Sequence, residues 1–149
     1  MKNNLIEQAS FSVLGIEART NNKAELSGTG IIGQQWEKFM KQNQSTGPII
    51  AAYTEYESDK DGDYTFFIGT QVDDGTTIPD GMVLKTVPAG KYSIVKTERG
   101  EIWNIVQTAW KNVWNDTSLK RNYKFDYEVY DEGAKNPSDA QINIFVGIV

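Results

Sequence analysis

The chain has 149 residues, of which 39% are hydrophobic and 23% are charged, and it carries a formal net charge of −5. This length and composition are typical of a single globular domain, and no apolar run approaches the roughly 20 residues that span a bilayer, so we expect no membrane association. Because the sequence contains no cysteine and no histidine, disulfides, thiolate nucleophiles, histidine bases and the usual zinc ligand sets are excluded, and the acidic balance disfavours direct binding to nucleic acid.

The first part of the chain predicts a strand followed by a helix. Residues 1–7 lack the apolar segment and the small-residue cleavage site of a signal peptide, so we expect a cytoplasmic location. A first strand is predicted at residues 10–18, and a polar loop follows at residues 19–25. Apolar residues at helical spacing then predict a helix that ends near residue 42, with Trp36 in the core.

The rest of the chain predicts strands that are interrupted by one long helix. These strands are predicted at residues 49–57, 64–72, 82–87, 91–97, 123–130 and 141–148. Asp61-Gly62 is a strong turn signal, so the first two of these strands should form a hairpin. The long helix is predicted at residues 101–115.

The two halves of the chain resemble each other. Each half predicts the order strand, helix, strand, strand, and Phe66-Phe67-Ile68-Gly69 matches Ile144-Phe145-Val146-Gly147. We interpret this as a tandem duplication, with repeats at about 8–72 and 89–149 in a single domain that spans residues 1–149. Two such units side by side give an α+β fold, with one antiparallel sheet, two main helices on one face and a pocket between the halves. The alternative is a chance similarity of two apolar strand endings.

The second helix has two apolar faces. An aliphatic stripe at helical spacing comprises Ile102, Val106, Ala109 and Val113. About 90° away from it lies a stripe of three indoles, Trp103, Trp110 and Trp114. The aliphatic face suits packing on a sheet. The tryptophan face points into the groove between the helices or towards solvent, unless the indoles simply widen the core face.

Glu128 is a carboxylate among aromatic and apolar neighbours. Strand alternation places Asp126, Glu128 and Tyr130 on one face and Phe125 and Tyr127 on the other. A buried, uncompensated carboxylate costs several kcal/mol, so it must be paired, protonated or kept for a cationic or polar ligand. Both orientations fit the pattern: an inward Glu128 is a candidate ligand group, and an outward one is an ordinary solvated acid.

Two motif matches have simple structural explanations. Gly28-Thr29-Gly30-Ile31-Ile32-Gly33 matches the dinucleotide pattern, but it does not directly follow a strand of a parallel unit, so we expect it to shape the loop into the first helix. Asp59-Lys60-Asp61-Gly62-Asp63 is acidic, but it lacks the glycine and glutamate positions of an EF-hand loop. We interpret it as a hairpin turn and predict no metal site.

Six stretches carry a resemblance to a known family through their order and spacing: residues 11–20, 36–39, 53–69, 88–92, 110–114 and 125–131. They resemble the GyrI-like, or AraC-type effector-binding, domain family, particularly its stand-alone bacterial members. The resemblance implies a duplicated strand-helix-strand-strand fold with a pocket between the halves for small organic molecules, often cationic or hydrophobic. In many relatives this domain follows a DNA-binding helix-turn-helix part, but here the effector-like fold begins at about residue 8.

The resemblance also implies which residues form the site. Glu128 corresponds to the family's acidic pocket residue, and Tyr53 and Trp110 correspond to wall positions. We add Tyr92 and Trp103 as further candidate wall residues. The leading prediction is therefore a protein that binds a small cationic or aromatic ligand, with Glu128 as counter-charge and aromatic rings as walls.

Two other functions stay open. Some stand-alone relatives hydrolyse reactive cyclopropane compounds, and Glu128 with a raised pKa would act as the general acid or base of such a hydrolase, without a metal or cofactor. Family members also suggest an acidic module that binds a protein partner such as DNA gyrase. The sequence leaves the choice between binding and catalysis open.

Overall fold

The computed structural model describes residues 4–43 and 45–149, which form one α+β domain. The strands are β1 (Asn4–Gln8), β2 (Phe11–Asn21), β3 (Ile49–Thr54), β4 (Asp63–Val72), β5 (Val83–Val87), β6 (Gly90–Lys96), β7 (Arg121–Tyr130) and β8 (Asn143–Ile148). The helices are α1 (Asn22–Ser27), α2 (Ile32–Gln42) and α3 (Ile102–Asn115). No helix in these ranges is long and apolar enough to cross a membrane.

The strands form one open antiparallel sheet in the order β1-β6-β8-β7-β3-β4-β2-β5. On one side of the centre lie β3, β4 and β2 from the first half of the chain, with β5 at the edge, and on the other side lie β7, β8 and β6 from the second half, with β1 at the edge. The halves meet where β3 pairs with β7, with Ala51 opposite Glu128. The predicted fold class and the β3–β4 hairpin are confirmed, and the repeat boundaries at 8–72 and 89–149 stay a prediction.

The first part of the chain differs from the sequence-based prediction. Residues 19–25 were expected to form a loop, but β2 continues to Asn21, which pairs with Asp63 of β4. The Asn21 side chain then accepts a hydrogen bond from the backbone of Ala24 and caps α1. The unpredicted edge strand β1 pairs with β6, and its Leu5 is exposed. Backbone pairing, rather than an apolar pattern, therefore defines these two segments.

The core has one layer on each face of the sheet. The larger layer lies under α2 and α3, and it includes the aliphatic stripe of α3 as predicted: Ile102, Val106, Ala109 and Val113. The second layer lies on the opposite face and includes Val13, Phe67, Tyr92 and Tyr127. Full burial of a large apolar side chain contributes about 1.5–3 kcal/mol to folding, so the two layers together hold the sheet.

The glycine run between α1 and α2 packs around the carboxylate of Glu25. This carboxylate accepts hydrogen bonds from the backbone nitrogens of Ile31 (2.8 Å) and Ile32 (3.3 Å) and from the hydroxyl of Thr20 (2.5 Å). A Cβ on Gly30 would lie 2.0 Å from the Glu25 carboxyl carbon. The start of α2 therefore already holds an internal carboxylate, and the glycines shape the connection rather than a phosphate site.

Candidate ligand-binding groove

A groove with a cavity volume of about 250 Å³ lies over the centre of the sheet. It is bounded by α3 on one side and by α1 and the start of α2 on the other, and its floor is formed by β3, β4 and β7. Six aromatic residues line it: Tyr53, Tyr56, Tyr64, Trp103, Trp110 and Trp114. The tryptophan face of α3 is therefore directed into the groove, while the aliphatic face packs on the sheet.

Glu128 lies directly beneath this aromatic lining. Its side chain faces the helices and is only 1% exposed. The Tyr53 hydroxyl (2.8 Å) and the Trp110 indole nitrogen (2.6 Å) both donate to Oε2, and the Tyr130 hydroxyl (2.7 Å) donates to Oε1. All three are neutral donors, so the carboxylate is hydrogen-bonded but has no cationic partner among them.

The surroundings shift the pKa values of the whole cluster upwards. Burial raises the pKa of Glu128, and the hydrogen bonds from Tyr130, Trp110 and Tyr53 offset part of that rise. Burial and the neighbouring Glu128 charge raise the pKa values of Tyr53 and Tyr130 well above the usual phenol value. Both phenols therefore stay protonated and act as donors.

A second buried acid, Asp126, lies on the same face of β7, and it is paired. The Arg121 guanidinium donates from Nη2 to Oδ2 of Asp126 (2.7 Å), and the Tyr56 hydroxyl donates to the same oxygen (2.5 Å). The backbone nitrogen of Gly147 donates to Oδ1 (2.8 Å). Asp126 is 0% exposed and the Arg121 side chain 5%. Glu128, in contrast, has no cationic group among its hydrogen-bond donors.

Sequence reasoning missed the partner of Asp126. The alternation of β7 correctly placed Asp126 beside Glu128, but Arg121 lies five residues earlier, across a register shift between Arg121 and Asp126. Tyr123, within this irregular segment, has a positive φ of 54°. A bulge of this kind changes which face a side chain occupies, and no local pattern predicts it. The sequence offered one indication that such a partner exists: if Asp126 is buried, its carboxylate needs a positively charged or hydrogen-bonding partner.

The structure brings together most of the predicted site residues. Tyr53 and Trp110 line the groove and hold Glu128, and Trp103 lies at its edge, 48% exposed, with its ring centroid 5.8 Å from that of Trp36. Glu128 itself does not line the groove. Tyr53 and Trp110, which donate hydrogen bonds to Glu128, line the groove in its place.

Tyr92 does not line the groove, contrary to the expectation from the sequence. It is 2% exposed in the core layer on the opposite face of the sheet. Its ring lies 5.6 Å from that of Tyr127, and its hydroxyl donates to the carbonyl oxygen of Pro88. The reason is strand alternation, because the pairing of β6 between β1 and β8 turns Tyr92 away from the helices.

The lining of the groove is aromatic rather than acidic. It combines six aromatic residues with four charged ones, Glu25, Lys60, Lys111 and Arg121. In the ranges 4–43 and 45–149, no group of three or more acidic side chains is arranged to hold a metal ion.

A comparison with known families identifies the chain's relatives. The model of the Cass2 family, described as integron-associated effector binding protein, matches residues 4–148. The chain belongs to this family. The resemblance to effector-binding domains that the sequence indicated is thereby confirmed.

Two relatives at 30% identity or more agree with this family assignment, and one more distant structure shares the fold. A protein of Bacillus subtilis named putative transcriptional regulator protein YobU is 33% identical, with 90% of this chain and 89% of that protein covered. The structure of the Vibrio cholerae integron cassette protein has a TM-score of 0.77 at 30% identity, covering 97% of this chain and 95% of that chain. The structure of SAV2435 bound to tetraphenylphosphonium has a TM-score of 0.77 at 16% identity, covering 100% and 94%, and shows the same fold.

Proposed function

We propose that this effector-binding protein binds small hydrophobic organic cations in the groove between α3 and the α1–α2 segment. The observation that carries the proposal is the position of Glu128. Its buried carboxylate has only neutral hydrogen-bond donors, and two of them, Tyr53 and Trp110, are the rings that line the groove. A cation resting on these rings supplies the missing positive charge.

The physics of the two rings supports a cationic ligand. A cation over an aromatic face gains about 0.5–2 kcal/mol per ring, and more when it is desolvated. A hydrogen bond from the phenol or indole to an anionic carboxylate increases the negative potential of the ring, because electron density shifts away from the donated proton. Tyr53 and Trp110 lie edge to face, with centroids 5.1 Å apart, so they offer two different faces to one ligand.

The relatives support the same class of ligand. SAV2435, which shares the fold, was solved with tetraphenylphosphonium, a lipophilic cation surrounded by four phenyl rings. The groove of this chain is lined by six aromatic residues, which suit the phenyl rings of such a cation. We therefore propose tetraphenylphosphonium as the first ligand to test.

The geometry favours binding over hydrolysis. A general base must be within hydrogen-bond distance of the water or substrate proton that it takes. Both oxygens of Glu128 are engaged by side-chain donors, and the residue is 1% exposed beneath Tyr53 and Trp110. Glu128 is therefore better arranged to act on a ligand electrostatically than to exchange protons with it.

Titration with tetraphenylphosphonium tests the proposal. Binding is measured by calorimetry and by quenching of tryptophan fluorescence, with neutral triphenylphosphine oxide as the uncharged comparison. In Glu128→Gln we expect affinity for the cation to fall at least about tenfold, while affinity for the neutral compound changes little. The matched control is Glu132→Gln, which removes an acid whose side chain is 84% exposed.

Two results would contradict the proposal. Equal weakening of the cation and the neutral compound in Glu128→Gln would remove the counter-charge role. Conversion of a reactive cyclopropane compound to product, abolished in Glu128→Gln, would make the groove an active site instead.

A further inference from the structure

We propose that Arg121 is a second recognition element of the groove, and that the preferred ligand is an aromatic cation that also carries a carboxylate. This inference rests on the proposed function, because it concerns the same groove, but it assigns a different residue and a different part of the ligand. The cationic part interacts with the rings over Glu128, and the carboxylate interacts with the guanidinium of Arg121.

Arg121 has hydrogen-bonding capacity that the protein leaves unused. Its side chain is 95% buried and lines the groove. Nη2 binds Asp126, but Nε and Nη1 have no acceptor among the residues that the structure describes. A buried donor without an acceptor is costly, so two on one side chain that borders a cavity indicate a ligand oxygen as the missing partner. A planar guanidinium is suited to binding a carboxylate with two nitrogens.

The segment around Arg121 holds the guanidinium in place. Asp126 anchors one nitrogen at 2.7 Å, and the ring of Tyr123 lies with its centroid 4.4 Å from the guanidinium carbon. Tyr123 adopts a positive φ of 54°, which costs free energy for a residue other than glycine. Backbone strain at the edge of a binding groove is typical of a position kept for function.

The two unpartnered nitrogens are buried. The rings near the guanidinium are those of Tyr56, Trp110 and Tyr123. Hydrogen bonds to Asp126 and Glu128 hold Tyr56 and Trp110 in place, so a ligand carboxylate reaches Nε and Nη1 when the Tyr123 ring rotates. Ring rotation of this size is ordinary when a ligand enters a groove.

The other charges of the lining also favour an acidic group on the ligand. Lys60 and Lys111 line the groove together with Arg121. Of the described lining residues, Glu25 alone is acidic, and its carboxylate is engaged by the backbone of α2. Basic side chains thus lie at the wall, although Lys60 pairs with Asp61 and Arg121 with Asp126, and the acid Glu128 lies beneath the floor. This arrangement complements a zwitterion better than a simple cation.

Trp110 connects the two recognition elements. Its indole nitrogen donates to Glu128, and its ring centroid lies 5.8 Å from the guanidinium carbon of Arg121. A ligand ring packed on this indole is therefore within reach of both charges, as in a dye whose cationic ring system carries a benzoate.

A matched pair of dyes tests the inference. The zwitterionic form is a rhodamine with a free benzoate, and the comparison is the methyl ester of the same dye, which keeps the cationic xanthene. We expect the free acid to bind wild-type protein about tenfold more tightly by fluorescence anisotropy. In Arg121→Gln this preference should disappear, and in Arg121→Lys it should shrink, because lysine keeps the charge but not the planar fork. Lys120→Gln, which removes an exposed charge outside the groove, should retain it.

The outcomes separate this inference from the proposed function. If wild-type protein binds the ester as tightly as the acid, Arg121 is a structural residue and the inference is wrong, whatever the variants do. If the ester and tetraphenylphosphonium bind but the free acid binds no more tightly than the ester, the proposed function stands and the inference about Arg121 is wrong. If neither dye nor tetraphenylphosphonium binds, both proposals are overturned. A thermal melt of Arg121→Gln establishes that the variant is folded before its affinities are compared.

Discussion

The indole nitrogen of Trp110 lies 2.6 Å from Oε2 of Glu128, so a wall of the groove and the buried acid form one hydrogen-bonded unit. Trp110 comes from α3 and Glu128 from β7, and the contact joins the helix to the centre of the sheet. Any ligand that contacts this indole therefore also acts on the carboxylate behind it. The following predictions depend on that coupling.

Trp110→Phe tests the coupling directly. The variant keeps an aromatic ring but loses the donor to Glu128, so we expect affinity for tetraphenylphosphonium to fall about threefold to tenfold. Loss of the donor should also raise the pKa of Glu128 further, because that hydrogen bond favours the charged form. Calorimetric titration measures the affinity. Trp103→Phe is the matched control, since no hydrogen bond joins the half-exposed Trp103 side chain to Glu128, and an equal loss there would argue against the coupling.

Affinity for a permanently charged ligand should depend on pH. Tetraphenylphosphonium does not titrate, and it favours the ionised form of Glu128, so its binding releases a proton where Glu128 is protonated. Because burial raises the pKa of Glu128, we expect affinity to fall as the pH falls through that raised value. Titrations from about pH 8 to about pH 5 measure the effect. Glu128→Gln should flatten the profile, and an unchanged profile in this variant would assign the dependence to another group.

The same pKa shift predicts a pH dependence of stability without ligand. The folded protein holds the Glu128 proton more tightly than the unfolded chain does, because the folded pKa is raised. The stability that this group contributes is therefore complete below its unfolded pKa and is lost as the pH rises through the folded value. Denaturant unfolding at a series of pH values should show this loss in wild-type protein relative to Glu128→Gln. Parallel curves for the two proteins would contradict the prediction.

Asp126→Asn should destabilise the fold strongly. The substitution leaves the buried Arg121 without its counter-charge, and breaking a buried ion pair costs about 3–5 kcal/mol. Urea unfolding measures the change. The control is Asp139→Asn, which breaks an exposed pair with Arg99 and should have little effect, because solvent screens it. Equal losses of stability in the two variants would mean that the buried pair contributes no more to stability than the exposed pair.

Gly15→Ala tests the close approach of β2 and β4. A Cβ on Gly15 would lie 1.9 Å from the carbonyl oxygen of Ile68, so the two strands must separate, at a cost of about 1–3 kcal/mol or more. Gly33→Ala is the matched control, since its Cβ meets nothing within 4 Å and it lies in α2. Thermal unfolding should show a lower Tm for the first variant and an unchanged or higher Tm for the second. A higher Tm for Gly15→Ala than for Gly33→Ala would contradict the close approach of β2 and β4.

Much of the fold was predictable because its pattern is local. The aliphatic stripe of α3 follows from a period of 3.6 residues, and this period correctly indicated which face of the helix is buried. The alternation of β7 placed Asp126, Glu128 and Tyr130 on one face, but it left open which face meets the helices. Tyr92 shows where such reasoning stops. Its strand was predicted, but the face that it occupies depends on how β6 pairs with β1 and β8, which lie far away in sequence.

The amino-acid pattern thus determined α2, α3, most strands, the fold class and the tryptophan face of α3, whereas α1 was expected to be part of a loop. Only the tertiary structure decided that Glu128 lies beneath Tyr53 and Trp110 rather than in the groove, and that Asp126 pairs with Arg121. The physical reason is that periodicity reports burial along one element. Hydrogen bonds and ion pairs, in contrast, require atoms from separate elements to meet within about 3 Å, and here a bulge and strand register bring them together.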